Sequence, residues 1–335
     1  MTAEQTFMLP RIWVDEQPLD SILPLLAGHA EFVGPGAAIE DLSTCVAALD
    51  PGVPWTAARM DRAPQLRVIS RIGVGIDNID IPAATARGIL VCNTPLAPSQ
   101  STAEHAVGLI FATAKSMVQA NSRTRSGQWH SNFRSHKGLE LHSKVLGLVG
   151  AGRIGGTVAR IMNAVGMRVL VFDPGLNPAK AAELGVELVS ELRSLLEQSD
   201  IVSLHAPATP ATRQLMNSER FAMMKPGAIL INTARGALVD ENALAAALTS
   251  GHLSAAGLDV FEREPVSPDN PLLKLENVVL TDHIASHTWA GHHRLYQTAV
   301  RHALEVLAGQ RPAAVLNPEC SGRIAADGSS TTAHR

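Results

Sequence analysis

Short apolar runs alternate with helical stretches along most of this chain. Residues 11–14, 30–33, 46–49, 66–71 and 90–92 read as strands in the first hundred positions, with helical segments such as 18–27 and 56–63 between them. The alternation resumes after residue 144, with strands predicted at 145–149, 169–172, 201–204, 228–231, 255–259 and 278–281. Strand–helix alternation predicts parallel sheets covered by helices on both faces, an α/β architecture with two doubly wound domains. Between the two series lies a long apolar helix over 101–119. Ser99 or Ser101 is placed to cap it, and Glu104 stands three residues after Ser101, as in a capping box. Asp240 caps an Ala-rich helix over 241–250 that Gly251 ends, and a last helix over 292–308 returns to the first domain. Residues 121–141 are polar, with Arg123, Arg125, His130, Arg134, His136 and Lys137. They read as a solvated arm, the alternative being an inter-subunit arm. Residues 319–335 are small and polar and read as a disordered tail.

The most informative stretch is LGLVGAGRIGGTVARIMNAVGMRVLVFD, residues 146–173. An apolar strand runs into Gly150-Ala151-Gly152-Arg153-Ile154-Gly155. A helical pattern follows, then a second strand ending at Asp173, 18 residues beyond Gly155. This is the G-x-G-x-x-G fingerprint of a dinucleotide-binding Rossmann unit in the context that gives it meaning. Gly150 serves the tight turn, Gly152 the close approach of a pyrophosphate, and Gly155 the packing of helix on strand. The helix N-terminus offers N–H groups and the positive dipole end to phosphates, with Arg153 and Ile154 in its first turn. Asp173 can accept from both ribose hydroxyls and would repel a 2′-phosphate, which favours NAD over NADP. Six strands in this half is the count of a complete dinucleotide fold.

Composition narrows the class. The chain has 335 residues, 46% apolar and 18% charged, enough for two ordinary domains with full cores. A net charge of −3 and 4% aromatic residues argue against nucleic acid and anionic membranes as partners. Cys45, Cys92 and Cys320 lack paired spacing, so neither a disulfide framework nor a metal site is expected. The opening MTAEQTFMLPRIWV does not read as a secretory signal, and no run of 18 apolar residues predicts a membrane span. A cytoplasmic enzyme is the expectation.

Oxidising an alcohol with a nicotinamide requires a proton acceptor, a cation to orient the substrate and a water-poor site. Candidates cluster after strands of the second half: Arg235, Asp259, Glu264 and His283. Ligands of open α/β sheets bind beyond the carboxyl ends of strands, so these loops can converge. Histidine is the natural acid/base near neutral pH, and a carboxylate on its other nitrogen would fix the tautomer. Arginine can hold a carboxylate bidentately. With 13 histidines in the chain, spacing alone does not single out one.

The motifs do. RIGVGIDNIDIPAATARGILVCNTP (71–95), STAEHAVGLI (101–110), GLVGAGRIGGTVARIMNAVGMRVLVFDP (147–174), SDIVSLHAPATPATRQLMN (199–217), MMKPGAILINTARGALVDENAL (223–244), AAGLDVFEREP (255–265) and DHIASHT (282–288) cover about residues 45–318. They resemble the D-isomer-specific 2-hydroxyacid dehydrogenase family, which includes phosphoglycerate dehydrogenase, glyoxylate/hydroxypyruvate reductase and D-lactate dehydrogenase. The resemblance implies that Arg235 binds the substrate carboxylate and carbonyl, that His283 is the acid/base and that Glu264 pairs with it. It implies that Asp259 contacts the nicotinamide carboxamide and that backbone N–H groups at Val74 and Gly75 hold the substrate carboxylate. Thr102, His205, Pro207, Thr212 and Thr233 match positions lining the cofactor cleft. It further implies a Rossmann cofactor domain (101–291) inserted in a flavodoxin-like substrate domain (1–100 and 292–318), a hinged cleft between the two, and a homodimer.

Two departures bear on substrate. Asp282 stands where the family usually has proline before the histidine, where it could raise the histidine's pKa or point away. Leu49-Asp50-Pro51-Gly52 replaces an Arg-Ser pair that phosphoglycerate dehydrogenases share, leaving a phosphate dianion without that cation. A regulatory ligand-binding domain of the kind many of those enzymes carry is not expected either. A glyoxylate/hydroxypyruvate-type substrate is therefore favoured, with phosphoglycerate as the alternative. Formate dehydrogenase resembles a chain with glutamine at position 264. A non-catalytic NADH-sensing corepressor would keep the same triad. Trp289, His287 and His292 are candidates for shaping the substrate pocket or for an interface.

Overall fold

The computed structural model describes residues 8–129 and 138–320. The chain divides into two compact units: residues up to Pro98 together with those from Thr288 onward, and Ser99–His287. The changes of unit fall at the starts of two helices, a few residues before the expected 100/101 and 291/292. Ser99 already opens the helix Ser99–Ala114, and Thr288 caps the last helix, Trp289–Leu307, by accepting the Gly291 N–H at 2.9 Å.

The first unit holds β1 (Arg11–Val14), β2 (Glu31–Val33), β3 (Ala47–Asp50), β4 (Val68–Arg71) and β5 (Leu90–Cys92). They form one parallel sheet in the order β2-β1-β3-β4-β5. This is the flavodoxin-like doubly wound order. One face packs Leu295, Tyr296, Ala299 and Val300 of the last helix on Ile12, Leu49 and Val68. The other buries Trp13, Trp55, Met60 and Ile69.

The second unit holds β6 (Val145–Val149), β7 (Arg168–Phe172), β8 (Glu187–Leu188), β9 (Ile201–Leu204), β10 (Ala228–Asn232), β11 (Leu253–Leu258) and β12 (Val278–Leu280). The sheet order is β12-β11-β10-β9-β6-β7-β8, parallel throughout. This is the Rossmann order, with β8 in the place of its third strand and β12 beyond its sixth, seven strands where the sequence predicts six. The unpredicted strand, β8, has two exposed residues, so its apolar pattern is too short to read. It exists because β7 offers an open edge. Arg168 lies at the start of β7, away from the fingerprint, and pairs with Glu187 of β8. Gly150 and His205 end β6 and β9, the adjacent strands at which the order reverses, where such sheets open a crevice.

The long helix predicted over 101–119 is two. Ser99–Ala114 ends before Ser116, whose φ of 47° breaks the helix, and Met117–Arg125 follows. The expected capping box is absent as well: Ser101 lies buried inside the helix, and Glu104 accepts from the Gln100 amide at 2.7 Å. Asp240 caps its helix as expected, accepting the Ala243 N–H at 3.0 Å. Of the polar arm, residues 121–127 complete the helix Met117–Arg125 and its end, while residues 130–137, with His130, Arg134, His136 and Lys137, lie outside the described residues. Residues 321–335 of the expected tail lie outside them too. No helix of the described residues is long and apolar enough to cross a membrane, and no cluster among them could hold a metal ion.

Candidate active site

β6 delivers Gly150 at φ +93°, and a Cβ there would stand 2.9 Å from the His205 carbonyl oxygen. A Cβ on Gly155 would sit inside van der Waals contact of the Gly150 carbonyl. Gly152 differs: it is the N-cap of the helix Arg153–Val165, and a Cβ there would meet open space. No side chain of the described residues caps this helix, which leaves its first-turn N–H groups for a ligand. Arg153 is exposed there and Ile154 half-buried. Asp173, just past β7, accepts the Ala151 N–H on one oxygen and the Gly175 N–H on the other, both at 2.8 Å. Its carboxylate thus fixes the glycine turn from the neighbouring strand.

His205 follows β9. Its Nε2 is 2.9 Å from Ser203 Oγ, and burial pushes the imidazole down to about 4, so the ring is neutral at neutral pH. Thr212 Oγ1 donates to the Pro207 carbonyl at 2.7 Å and closes the next turn. Thr102 is buried in the helix Ser99–Ala114. Thr233 is buried after β10, and its hydroxyl finds no hydrogen-bond partner among the described residues. An uncapped helix end, open space at Gly152, a carboxylate one strand away and an orphaned hydroxyl fit a bound dinucleotide.

The ends of β10, β11 and β12 carry the other candidates. Asn232 donates to the Arg235 carbonyl at 2.9 Å and accepts the Ala234 N–H at 3.0 Å, forming a tight side-chain-locked turn. Arg235 Nη1 donates to the Ala234 carbonyl at 2.7 Å, which sets the guanidinium's direction. The next residue, Gly236, lies so close to the loop after β11 that a Cβ would overlap the backbone of Phe261. That loop is pinned from below: Glu241 accepts from the Glu262 N–H and the Asn270 amide, each at 2.6 Å.

Glu264 sits at the top of this loop. Oε1 accepts the Phe261 N–H at 3.0 Å, and Oε2 meets Nδ1 of His283 at 2.6 Å, a short contact for a nitrogen–oxygen hydrogen bond. Burial raises the Glu264 carboxyl, but the His283 and Phe261 hydrogen bonds, with the charges of His283 and Arg235, outweigh it and hold it below the usual carboxylate range. His283 occupies the left-handed region at φ 59°, uncommon for a residue with a Cβ. Its N–H donates to the Asp259 carbonyl at 2.8 Å. With Nδ1 on Glu264, Nε2 points away from that carboxylate. Asp282 is exposed.

Asp259, just past β11, is enclosed by protein groups. Its side chain is 0% exposed and accepts from Thr281 Oγ1 at 2.6 Å, Ile284 N–H at 2.9 Å and Ala285 N–H at 3.0 Å. His105 Nε2 stands 3.4 Å from the same Oδ1. One acceptor position of Oδ2 is left for a carboxamide.

Val74 and Gly75 belong to the first unit, in the loop after β4. Here Arg71 donates to the carbonyls of Gly75 (3.0 Å), Asp50 (2.8 Å) and Ile72 (3.1 Å), and Asn93 donates to that of Val74 at 2.9 Å. The loop's carbonyls are thereby turned inward. Asp50 is fully buried, 3.6 Å from Arg71 Nε, and accepts from Asn78 at 2.8 Å and the Gly52 N–H at 2.9 Å. Burial, the largest influence, raises this carboxyl despite the opposing guanidinium and hydrogen bonds. Trp289, at the start of the last helix, is 84% exposed.

Sequence reasoning passed over Asn232, Gly236, His105 and Thr281. His105 lies in a motif already singled out, STAEHAVGLI, but its partner is 176 positions away.

Comparison with known proteins shows the family. Residues 107–285 match the family profile described as D-isomer specific 2-hydroxyacid dehydrogenase, NAD binding domain. The chain is 45% identical over 248 residues to D-3-phosphoglycerate dehydrogenase of Mycobacterium tuberculosis, covering 74% of this chain and 46% of that enzyme. It therefore spans about half the length of that relative. It is 44% identical over 262 residues to glyoxylate reductase of Thermofilum pendens, covering 78% of this chain and 77% of the enzyme. Among solved structures, the NADPH-dependent glyoxylate/hydroxypyruvate reductase of Sinorhizobium meliloti superposes with a TM-score of 0.80. It is 30% identical and covers 92% of this chain and 96% of its own.

Proposed function

The chain belongs to the D-isomer specific 2-hydroxyacid dehydrogenase family, and from that we propose that it moves a hydride between NAD(H) and C2 of a small, unphosphorylated D-2-hydroxy acid and its 2-oxo acid. The observation that carries the reading is the Glu264–His283 contact of 2.6 Å, built on the same strand ends as Arg235. NADH, when bound, supplies the hydride that reaches C2. Arg235 holds the substrate carboxylate with its planar fork and polarises the adjacent carbonyl oxygen. His283 gives the proton on Nε2 to that oxygen as C2 accepts the hydride, and its Nδ1–H stays on Glu264. Glu264 remains ionised and stabilises the imidazolium before transfer. In oxidation the same Nε2 takes the hydroxyl proton.

Asp50 supports the choice of an unphosphorylated acid. The end of β3 carries a buried carboxylate, already held by Arg71 and Asn78, where a phosphate dianion would need a cation. Identity to D-3-phosphoglycerate dehydrogenase favours a second reading, reduction of 3-phosphohydroxypyruvate. Initial rates with NADH on glyoxylate, hydroxypyruvate, pyruvate, phenylpyruvate and 3-phosphohydroxypyruvate decide between them. We expect the highest kcat/KM on glyoxylate or hydroxypyruvate. A preference for the phosphorylated acid would establish the second reading. NADH binding without turnover on any of the five would point to a sensing protein.

The nucleotide preference rests on Asp173. Replacing it by Asn keeps an acceptor for the glycine turn but removes the charge facing the ribose. The NADH-over-NADPH ratio of kcat/KM should fall about tenfold, equivalent to about 1.4 kcal/mol. A wild-type preference for NADPH would refute the assignment. The pH dependence rests on Glu264. Because its carboxyl lies below the ordinary range, its support of the imidazolium is fully present above the ordinary carboxylate value and is lost as pH falls through the lowered one. Glu264→Gln should therefore move the alkaline limb of the reduction profile to lower pH, as the imidazolium loses its counter-charge. An unmoved limb would remove Glu264 from this role. We also expect a homodimer in a reducing compartment, consistent with three buried free cysteines; light scattering tests the dimer.

A further inference from the structure

A chain of hydrogen bonds runs from the helix Ser99–Ala114 to the turn that bears His283. Thr281 and Asp259 are the first residues beyond the paired ends of β12 and β11, where Leu280 lies opposite Leu258. Thr281 Oγ1 donates its one hydrogen to Asp259 Oδ1 at 2.6 Å, since a carboxylate only accepts. His105 Nε2 lies 3.0 Å from the same hydroxyl oxygen. With the hydroxyl hydrogen committed, Nε2 must carry the proton and donate. Asp259 in turn accepts the N–H groups of Ile284 and Ala285 on its carboxylate and that of His283 on its carbonyl. Four successive elements of the site are thus joined: His105, Thr281, Asp259 and the 283–285 turn.

The fold sets this up through Gly257. A Cβ there would stand 3.2 Å from Leu109 Cβ and 3.2 Å from Thr113 Cγ2, so the helix lies close on β11. His105 is one helical turn before Leu109 and two before Thr113, on the same face. The close approach therefore brings its ring down onto the end of β11. The conformation held there is unfavourable by itself: a left-handed non-glycine residue persists only when its surroundings over-determine it.

We infer that His105 is a positioning residue: through Thr281 and Asp259 it holds His283 in the left-handed turn that keeps Nδ1 on Glu264 and Nε2 on the substrate. This rests on the acid/base reading of His283. The required property is a hydrogen-bond donor at the Nε2 position, not a titrating group, so Gln can replace it and Leu cannot. The same logic makes Thr281→Ser tolerable and Thr281→Val damaging at nearly unchanged shape.

The test is steady-state kinetics on the full chain with NADH and the best 2-oxo acid of the panel. His105→Leu and Thr281→Val should each lower kcat about 10–100-fold, with KM for the 2-oxo acid and Kd for NADH within about threefold. His105→Gln and Thr281→Ser should recover kcat to within about fivefold of wild type. The double variant His105→Leu/Thr281→Val should be no worse than the weaker single, because both break one chain. The solvent isotope effect on kcat should rise in the Leu and Val variants as proton delivery becomes limiting. The inference is overturned if His105→Leu keeps kcat within twofold, if Gln fails to recover what Leu loses, or if the loss falls on KM and Tm alone. Should His105→Leu fail to fold, the Thr281 pair carries the same comparison. His283→Ala run alongside separates the two levels. If it stays active the acid/base reading fails, whereas if it is inactive and His105→Leu is not, only this inference fails.

Discussion

Removing the imidazole of His283 should nearly abolish turnover while leaving the nucleotide site intact. We expect His283→Ala to lower kcat by about 10²–10⁴, the range general acid–base catalysis supplies, with Kd for NADH within about threefold. Arg235→Ala should cost a similar factor, about 10²–10³ in kcat, and should raise KM as well because the carboxylate loses its partner. The separation follows from the architecture. His283, Glu264 and Arg235 stand beyond β12, β11 and β10, whereas the fingerprint and Asp173 stand beyond β6 and β7 on the other side of β9. Glu264→Gln added to His283→Ala should cost nothing more, since the carboxylate acts only through the imidazole. Fluorescence titration with NADH beside initial rates checks both halves. Turnover within tenfold of wild type in either Ala variant would remove that residue from the mechanism.

The second large effect is expected from a single methyl group at Gly236. A Cβ there would overlap the carbonyl carbon and oxygen of Phe261 and the nitrogen of Glu262. These are backbone atoms of a loop that is pinned by Glu241 on one side and supplies the Phe261 N–H to Glu264 on the other. Neither a side-chain rotation nor a small shift relieves the overlap. Gly236→Ala should destabilise the chain by about 3 kcal/mol or more, a fall in Tm of roughly 6–12 °C. It should also displace Arg235 from Glu264, and a misplacement of about 1 Å costs on the order of 10² in kcat. Gly152→Ala is the internal control, because its Cβ meets open space in the protein itself. It should leave Tm nearly unchanged and weaken NADH binding instead. Equal Tm values for Gly236→Ala and wild type would contradict the close packing of the two loops.

Several elements were legible because they follow from neighbours in sequence. The fingerprint turn needs glycine at Gly150 for its own φ, and an apolar run of five residues makes β6 a buried strand wherever it pairs. Asp240 caps its helix by accepting the N–H of Ala243, three residues on. Other elements escaped for physical reasons. β8 is two exposed residues and is a strand only because β7 pairs with it. The break at Ser116 falls inside an unbroken apolar periodicity, and no glycine or proline marks it. The last helix starts at Trp289, ahead of the predicted 292, because Thr288 caps it.

By itself the sequence determined two doubly wound α/β units, the place of a dinucleotide turn and, through its resemblance to a family, the residues Arg235, Glu264 and His283. These depend on periodicity, on glycine stereochemistry and on short motifs, all local to the chain. The tertiary structure alone decided which groups hold those residues in place. Asn232 locks Arg235 because of the turn it stands in, and Gly236 matters because Phe261 lies on top of it. Asp259 proves to be a buried acceptor for the 283–285 turn, and His105 reaches that turn across 176 positions to Thr281. Hydrogen bonds of this kind are directional and span less than 3.5 Å, so only the packing of helix on strand can bring their partners together.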